Sequence, residues 1–436
     1  MTKYYKIRGA RPLSGSIRVG GAKNTLPKSI VASLLTDEPC VLSNVSNIGD
    51  VTVTLDMCRS IGTEFEWLNH STIRISTPRV TSPAINSGFS GINRIPILML
   101  GPLLHRVGIA EIPLLGGCKI GPRPIDFHID ALRALGAQVD LVEGVYRAEA
   151  SKLHGTTISL PYPSVGATET ILLSASLAEG TTVIRNAAIE PEVIDLIAVL
   201  QKMGAIIAVD VDRTIIIDGV KRLRSFKHHA LTDRIEVASW ACAAIATGGD
   251  VVVENSDQLG MMAFLNIIRK IGAEYEVLEN GIRFFSGGNR LHPTFLETDV
   301  HPGFMTDWQQ PFVILMTQAE GLSVLHETVY ENRFGYTNEL RRMGAEIQVY
   351  QQCLGGKPCR FLHRNYPHSC VIKGRTPLQG IEMTIPDLRA GFSYIIAALV
   401  ASGESVIKGV NYIERGYDSI PEKARSLGAD FEVVED

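Results

Sequence analysis

The chain is predicted to be an α/β protein of two similar halves, each built from three copies of one supersecondary unit. Two recurring patterns carry that prediction, and the length agrees with it. The first is a helix end followed by a strand: Ser60-Ile61-Gly62, Leu135-Gly136-Ala137, Met203-Gly204-Ala205, Ile271-Gly272-Ala273, Met343-Gly344-Ala345 and Leu427-Gly428-Ala429. Glycine after an apolar helical turn is the left-handed helix stop, and the alternating runs behind it, such as Glu274-Tyr275-Glu276-Val277 and Asp430-Phe431-Glu432-Val433, read as strands. The glycines lie 74, 68, 68, 72 and 84 residues apart. At 436 residues the chain exceeds one ordinary core and suits two domains of about 200 residues.

The second pattern runs in phase with the first. A short polar residue opens an apolar helix that meets a turn 14 to 16 residues later, and a β-rich run follows. In chain order the pairs are Asn24 with Glu38, Asn93 with Gly108, Ser164 with Gly180, Asp233 with Gly248, Asp307 with Gly321, and Asp387 with Gly403. The six opening residues are expected at equivalent N-cap positions, with Asp233-x-x-Glu236 and Asp307-x-x-Gln310 as capping boxes. Helix starts carry unpaired N–H groups and partial positive charge, so starts gathered at one cleft would suit phosphates.

Composition limits the function classes. Hydrophobic content of 45% with 20% charged residues is ordinary for a folded protein, and the net charge of −4 gives no general attraction to nucleic acid or anionic membrane. An anion site must therefore be a local cluster of cations. The start Met1-Thr2-Lys3-Tyr4-Tyr5-Lys6 does not read as a secretion signal, and the greasiest stretches are too short to span a bilayer. Seven cysteines without a C-x-x-C pair fit free thiols in a reducing cytoplasm.

The strongest local signal is Gly116-Gly117-Cys118-Lys119-Ile120-Gly121-Pro122-Arg123-Pro124-Ile125-Asp126-Phe127-His128, a shaped loop whose cysteine sits among cations that lower a thiol pKa. On sequence chemistry alone, a lone loop cysteine is more often inert. Gly20-Gly21-Ala22-Lys23 fails the nucleotide phosphate-loop pattern, yet Lys23 stands at an expected helix start, where a cation is disfavoured unless an anion is bound. Arg94, Arg123, Arg234, Arg333, Arg389 and Arg415 recur at helix starts or turns, with Arg94 and Arg389 expected in first helical turns. One such arginine is ordinarily a surface ion pair; several in related positions suggest a ligand with more than one anionic group. Asp307 reads as a plain cap or as a general base.

Taken in order, Gly21-Ala22-Lys23-Asn24, the Cys118 loop, Ser164-Val165-Gly166-Ala167-Thr168, Pro302-Gly303-Phe304, Thr306-Asp307, Glu331-Asn332-Arg333-Phe334, Asp387-Leu388-Arg389-Ala390 and Arg415-Gly416-Tyr417 resemble the enolpyruvyl transferase family over essentially the whole chain. The resemblance implies a two-domain inside-out α/β barrel of six βαβαββ repeats, with residues 1–22 and 233–436 as one domain and 23–232 as the other. It implies phosphoenolpyruvate and UDP-N-acetylglucosamine as substrates, no cofactor and no metal, and a role in peptidoglycan precursor synthesis. Cys118 would protonate the phosphoenolpyruvate methylene carbon, form a covalent adduct, and be the thiol that fosfomycin alkylates. Lys23, Arg123 and Arg415 would hold the phosphate, Arg333 and Arg389 the carboxylate, and Asp307 would take the sugar hydroxyl proton. Arg123, Pro124, Ile125, Asp126 and Phe127 would clasp the uracil, and Ser164, Val165 and Gly166 the diphosphate. Asn24, Arg94, Asp307 and Val329 would touch substrate.

The chain departs from the commonest family form at Thr25, Tyr162-Pro163, Trp308-Gln309-Gln310-Pro311 and Gly335-Tyr336-Thr337, expected on the acceptor side. The same transfer onto another uridine nucleotide, or onto shikimate 3-phosphate, and a non-catalytic nucleotide-sugar binder are competing readings, as is an RNA-end-processing enzyme of related repeats, which the acidic balance and missing basic stripe disfavour. Residues 351–370 look inserted and hold Cys353, Cys359, His363, His368 and Cys370. Their spacings match no standard zinc site, so a solvated loop is expected.

Overall fold

Alternating apolar runs pair into six sheets around apolar helices in the computed structural model, which describes residues 3–116, 124–356 and 359–435. The chain divides into two compact units, a terminal one holding the residues up to Gly20 and from Thr232 onward, and an inserted one running from Gly21 to Leu231. Cys118 and Arg123 lie outside the described residues.

In the terminal unit the strands order as Glu382–Thr384, Glu404–Lys408, Lys3–Arg8 and Asp430–Glu435 in one sheet; Glu274–Leu278, Gly281–Phe285, Asp250–Glu254 and Ser14–Arg18 in the second; and Phe295–Glu297, Gly321–His326, Ser369–Gly374 and Glu346–Tyr350 in the third. Each joins one parallel pair to two antiparallel ones. The helices Arg234–Ala246, Thr306–Met316 and Leu388–Val400 pack against one another, buried on nearly every face. A helix apolar all round belongs inside, and the pleated sheets cover it.

The inserted unit repeats this plan in two of its sheets, and its third has three antiparallel strands. Ile206–Val209, Ile215–Asp218, Thr181–Arg185 and Thr157–Ser159 form one sheet, Lys227–His229, Cys40–Ser43, Thr72–Ser76 and Glu64–Asn69 another, and Ile109–Pro113, Val145–Glu149 and Gln138–Val142 a third. Its buried helices are Leu26–Ala32, Pro96–Val107 and Val165–Ala175. One exchange makes the terminal unit discontinuous. Ser14–Arg18 leads towards Leu26–Ala32 but pairs in parallel with Asp250–Glu254, whereas Lys227–His229 leads into Arg234–Ala246 but pairs with Cys40–Ser43.

The six outer helices end as the glycine pattern predicts. Gly62, Gly136, Gly204, Gly272, Gly344 and Gly428 have φ of 107°, 101°, 103°, 85°, 102° and 88°. In each case the next residue's N–H returns to a carbonyl five positions earlier, as in Thr63 to Cys58 and Ala205 to Leu200, so the orphan carbonyls of the last turn are satisfied.

The caps divide. Ser164, Asp233 and Asp387 are N-caps, with Asp233 Oδ1 accepting from the N–H groups of Ile235 at 2.9 Å and Glu236 at 3.2 Å, and Asp387 Oδ1 from those of Arg389 at 2.9 Å and Ala390 at 3.1 Å. Three expectations fail. Thr25 rather than Asn24 precedes the first helix, and Asn93 sits two residues before the Ile95 cap, its Oδ1 accepting from Ile95 N–H at 3.0 Å. Pro27 and Pro96 explain the offset, because a ring-locked φ without an N–H suits the first helical turn. Arg94 accordingly lies ahead of its helix. Asp307 stands inside the first turn after the Met305 cap, so its pairing with Gln310 as a capping box also fails. Among the described residues no helix is long and apolar enough to cross a membrane.

Candidate active site

Within the terminal unit the helix starts bring charges together. Asp307 projects from the first turn of Thr306–Met316, and Arg389 from the first turn of Leu388–Val400, with its Nε 3.4 Å from Asp307 Oδ2. Arg333, on the segment that follows Gly321–His326, donates through Nη2 to Asp307 Oδ1. Arg333 is 2% exposed and Arg389 6%. Guanidinium groups so deeply buried require partners, and a single carboxylate serves both. Arg389 Nη1 also donates to Tyr417 Oη at 2.7 Å. Burial alone would lower the Arg389 pKa, but the Tyr417 oxygen with the Asp307 and Asp233 carboxylates reverses this and raises it. Arg333 is raised in the same way, burial being outweighed by Asp307, Asp387 and Glu327.

Glu327, which sequence reading missed, sets the segment carrying Arg333. It is fully buried and accepts from the N–H groups of Val329 at 2.9 Å and Tyr330 at 3.0 Å and from the Thr306 hydroxyl at 3.0 Å. Burial pushes its carboxyl pKa up, against the pull of Arg333 and these hydrogen bonds. Val329 is thereby placed by its own backbone. Arg415 is half-buried, caps the short helix Asn411–Glu414, and precedes Tyr417 by two residues.

The departures at Trp308, Gln309, Gln310 and Tyr336 are buried core positions. Trp308 is 1% exposed, packs on Phe264 and Phe304 at ring distances of 5.5 and 5.4 Å, and donates from Nε1 to the Arg234 carbonyl at 3.2 Å. Tyr336 donates to Gln309 Oε1 at 3.1 Å. They pack the helix bearing Asp307.

In the inserted unit Lys23 Nζ lies 2.8 Å from Asp50 Oδ2, a carboxylate 2% exposed at the start of helix Gly49–Ser60. Asn24 offers its carbonyl to Lys28 Nζ, which reaches Glu169 at 3.3 Å. Arg94 Nη2 donates to the Pro124 carbonyl at 3.3 Å, and Ile125 precedes helix Asp126–Ala134, where Asp126 Oδ1 accepts from Phe127 N–H at 3.0 Å. That helix start adjoins the one at Ser164. A Cβ on Gly166 would stand 2.9 Å from His128 Cε1, and His128 Nδ1 meets Thr170 Oγ1 at 2.7 Å. Glycine at 166 is what permits this approach, and the start at Ser164, Val165 and Gly166 stays partly exposed.

The expectation of a solvated loop at residues 351–370 holds only in part. Gln351, Gln352 and Leu362 to Asn365 are exposed, but Phe361 and His368 are fully buried, and Cys353, Cys359 and His368 gather with His326 so that their donor atoms lie within 4.8 Å of one another.

The model for the family described as EPSP synthase (3-phosphoshikimate 1-carboxyvinyltransferase) matches residues 7–424. A protein of Protochlamydia amoebophila (strain UWE25) named UDP-N-acetylglucosamine 1-carboxyvinyltransferase is 53% identical over 99% of this chain and 94% of its own length. One of the same name from Chlamydia abortus (strain DSM 27085 / S26/3) is 49% identical over 97% of this chain and 96% of its own. In fold, the chain is similar to the enolpyruvyl transferase NikO from Streptomyces tendae, with a TM-score of 0.87 at 22% identity over 99% of both chains. It is also similar to EPSP synthase from Acinetobacter baumannii, with a TM-score of 0.75 at 20% identity over the whole of both chains. Six sheets around two sets of buried helices, and a match from residue 7 to residue 424, place this chain in the EPSP synthase family of enolpyruvyl transferases.

Proposed function

We propose that this chain transfers the enolpyruvyl group of phosphoenolpyruvate to the 3-hydroxyl of UDP-N-acetylglucosamine with release of phosphate, as a cytoplasmic step of peptidoglycan precursor synthesis. The observation that carries the reading is the Asp307 carboxylate held between two buried guanidinium groups, in a chain about half identical to carboxyvinyltransferases of that name. An arginine pair of this kind suits a planar carboxylate, and the substrate's carboxylate competes with Asp307 for it. Binding then releases Asp307 to accept a proton.

The chemistry follows from that exchange. Cys118 delivers a proton to the methylene carbon, and the neighbouring carbon, now cationic in character, is attacked by the sugar oxygen as Asp307 takes the hydroxyl proton. The carbon–oxygen bond to phosphate breaks, the methyl group loses a proton, and the vinyl ether forms. Lys23, Arg123 and Arg415 neutralise the phosphate, and Arg333 and Arg389 hold the carboxylate, so charge is balanced by fixed cations. Arg123, Pro124, Ile125, Asp126 and Phe127 take the uracil end, the helix start at Ser164, Val165 and Gly166 takes the diphosphate, and Asn24, Arg94 and Val329 complete the acceptor contacts. The two compact units correspond in this reading to the family's three-repeat domains.

The test is phosphate release from phosphoenolpyruvate with UDP-N-acetylglucosamine, plain uridine nucleotides and shikimate 3-phosphate as acceptors. Release dependent on the nucleotide sugar is expected; release with another acceptor alone would refute the assignment. Cys118→Asp should retain turnover and escape fosfomycin, and continued inactivation of that variant would remove the thiol from its role.

A further inference from the structure

Residues 351–370 bring a second cluster of ligand-type side chains together with His326. Cys353, Cys359 and His368 come from the insertion, and His326 ends the strand Gly321–His326 on which the insertion folds back. His326 and His368 are both fully buried, and the two rings lie 5.1 Å apart.

The hydrogen bonds fix which ring nitrogens are bare. Ser369 Oγ gives its one proton to the Gln352 carbonyl at 2.6 Å, so towards His326 Nδ1, 2.9 Å away, it can only accept. The neutral His326 ring therefore carries its proton on Nδ1 and a lone pair on Nε2, a buried atom with no hydrogen-bond partner. His368 Nδ1 faces the Tyr366 carbonyl at 2.6 Å and must donate to it, which leaves a lone pair on Nε2, 3.1 Å from Cys353 Sγ. Two imidazoles, each steered by an oxygen on its far nitrogen, present bare nitrogens to two thiols. That is the outer-shell arrangement of metal-bound histidine.

The surroundings are built around the cluster. Leu354 N–H donates to Ser369 Oγ at 3.1 Å, and Phe361 covers the His368 ring edge-on at 5.7 Å. A Cβ on Gly355 would meet His326 Cδ2 at 2.3 Å, so only glycine lets the insertion's backbone close over that ring.

We propose that His326, Cys353, Cys359 and His368 bind one zinc ion, with the histidines ligating through Nε2. Two sulfurs and two nitrogens are the donor set that selects tetrahedral zinc. In such a site neighbouring donor atoms lie about 3.3–3.8 Å apart. The observed limit of 4.8 Å asks for a closure of about 1 Å at the widest pair. Both thiols ionise on binding and release their protons to solvent, so two thiolates neutralise the ion and no net charge is buried. Four protein ligands fill the shell, which makes the site structural. The ion pins the insertion where Arg360 Nη2 donates to the Val329 carbonyl at 2.6 Å and to Glu331 at 3.1 Å, beside the segment bearing Arg333.

The reduced full-length chain, freed of metal with a chelator, is titrated with Co²⁺ and then with Zn²⁺. Expected are uptake of about one equivalent, a thiolate-to-cobalt charge-transfer band with the intense visible bands of tetrahedral cobalt, and loss of both on adding zinc. Cys353→Ser and Cys359→Ser should each abolish the charge-transfer intensity or shift it to a single-thiolate spectrum. Zinc should raise the melting temperature of the wild type but not of the double serine variant. Absence of cobalt uptake by the reduced wild-type chain, or an unchanged spectrum in either serine variant, overturns the proposal. So does a stable Cys353–Cys359 disulfide, shown by the loss of two hydrogens in mass, in protein isolated under reducing conditions.

Discussion

Replacing Asp307 with asparagine removes the charge between two buried arginines without changing the shape of the site. The aspartate stands between Arg333 and Arg389, whose side chains are 1% and 6% exposed. At an effective dielectric near 20, unit charges at the 3.4 Å of the Arg389 contact interact by roughly 5 kcal/mol. The asparagine oxygen keeps one acceptor, and both guanidinium groups remain desolvated, so the net loss is about 2–4 kcal/mol. For a domain of this size that lowers the melting temperature by roughly 5–15 °C. A second effect separates charge from packing. With the internal anion gone, the arginines favour an external one, and phosphate or phosphoenolpyruvate should raise the melting temperature of Asp307→Asn more than that of the wild type. Scanning calorimetry with and without each anion reads both effects, and the variant should have lost turnover. A variant that melts with the wild type and responds identically to anions refutes the pairing as the force holding these arginines.

Three further outcomes are expected. Tyr417→Phe removes the 2.7 Å hydrogen bond to Arg389; leaving that buried donor short by about 1–2 kcal/mol should raise KM for phosphoenolpyruvate roughly 5–30-fold, measured by steady-state kinetics. Burial pushes the Glu169 carboxyl up to about 7 despite Lys28 at 3.3 Å. The folded chain then keeps a proton that the unfolded chain releases above its ordinary pKa, so stability falls by about 3 kcal/mol as pH rises from 4.5 to 7. Denaturant titration across that window should show the slope in the wild type and a flatter one in Glu169→Gln. Gly204 has φ of 103°, and a methyl group added there would meet nothing within 4 Å. Gly204→Ala therefore isolates backbone strain and should cost about 1–2 kcal/mol, again by denaturant titration.

The sixfold organisation was legible because its signals are local. A glycine behind an apolar turn takes positive φ whatever the rest of the chain does, and all six expected positions did so. Ser164, Asp233 and Asp387 capped their helices for the same reason, and Asn24, Asn93 and Asp307 failed by one or two residues where prolines or a neighbouring cap moved the start. Arg389 was legible as a candidate because a cation in a first helical turn opposes the dipole, and Arg333 and Arg415 because arginines recur at related turns. Their partners were not. Any acid is a possible partner for any arginine until packing of three buried helices sets Asp307 beside Arg333 and Arg389, or brings Asp50 to Lys23. Glu327 and Tyr417 carried no periodic signal, since a single buried hydrogen-bonding side chain has none. The exchange of edge strands between Ser14–Arg18 and Lys227–His229 likewise rests on pairing between segments far apart in the chain. Residues 351–370 show the division most sharply: five ligand-type residues stood there at an unfamiliar spacing, and only the fold selects Cys353, Cys359 and His368 and brings His326 to them, through the strand pairing of Gly321–His326 with Ser369–Gly374. Local conformation is a property of neighbouring residues and is written in their order, whereas charge pairs and ligand sets are properties of distance in space, which only the folded sheets and helices determine.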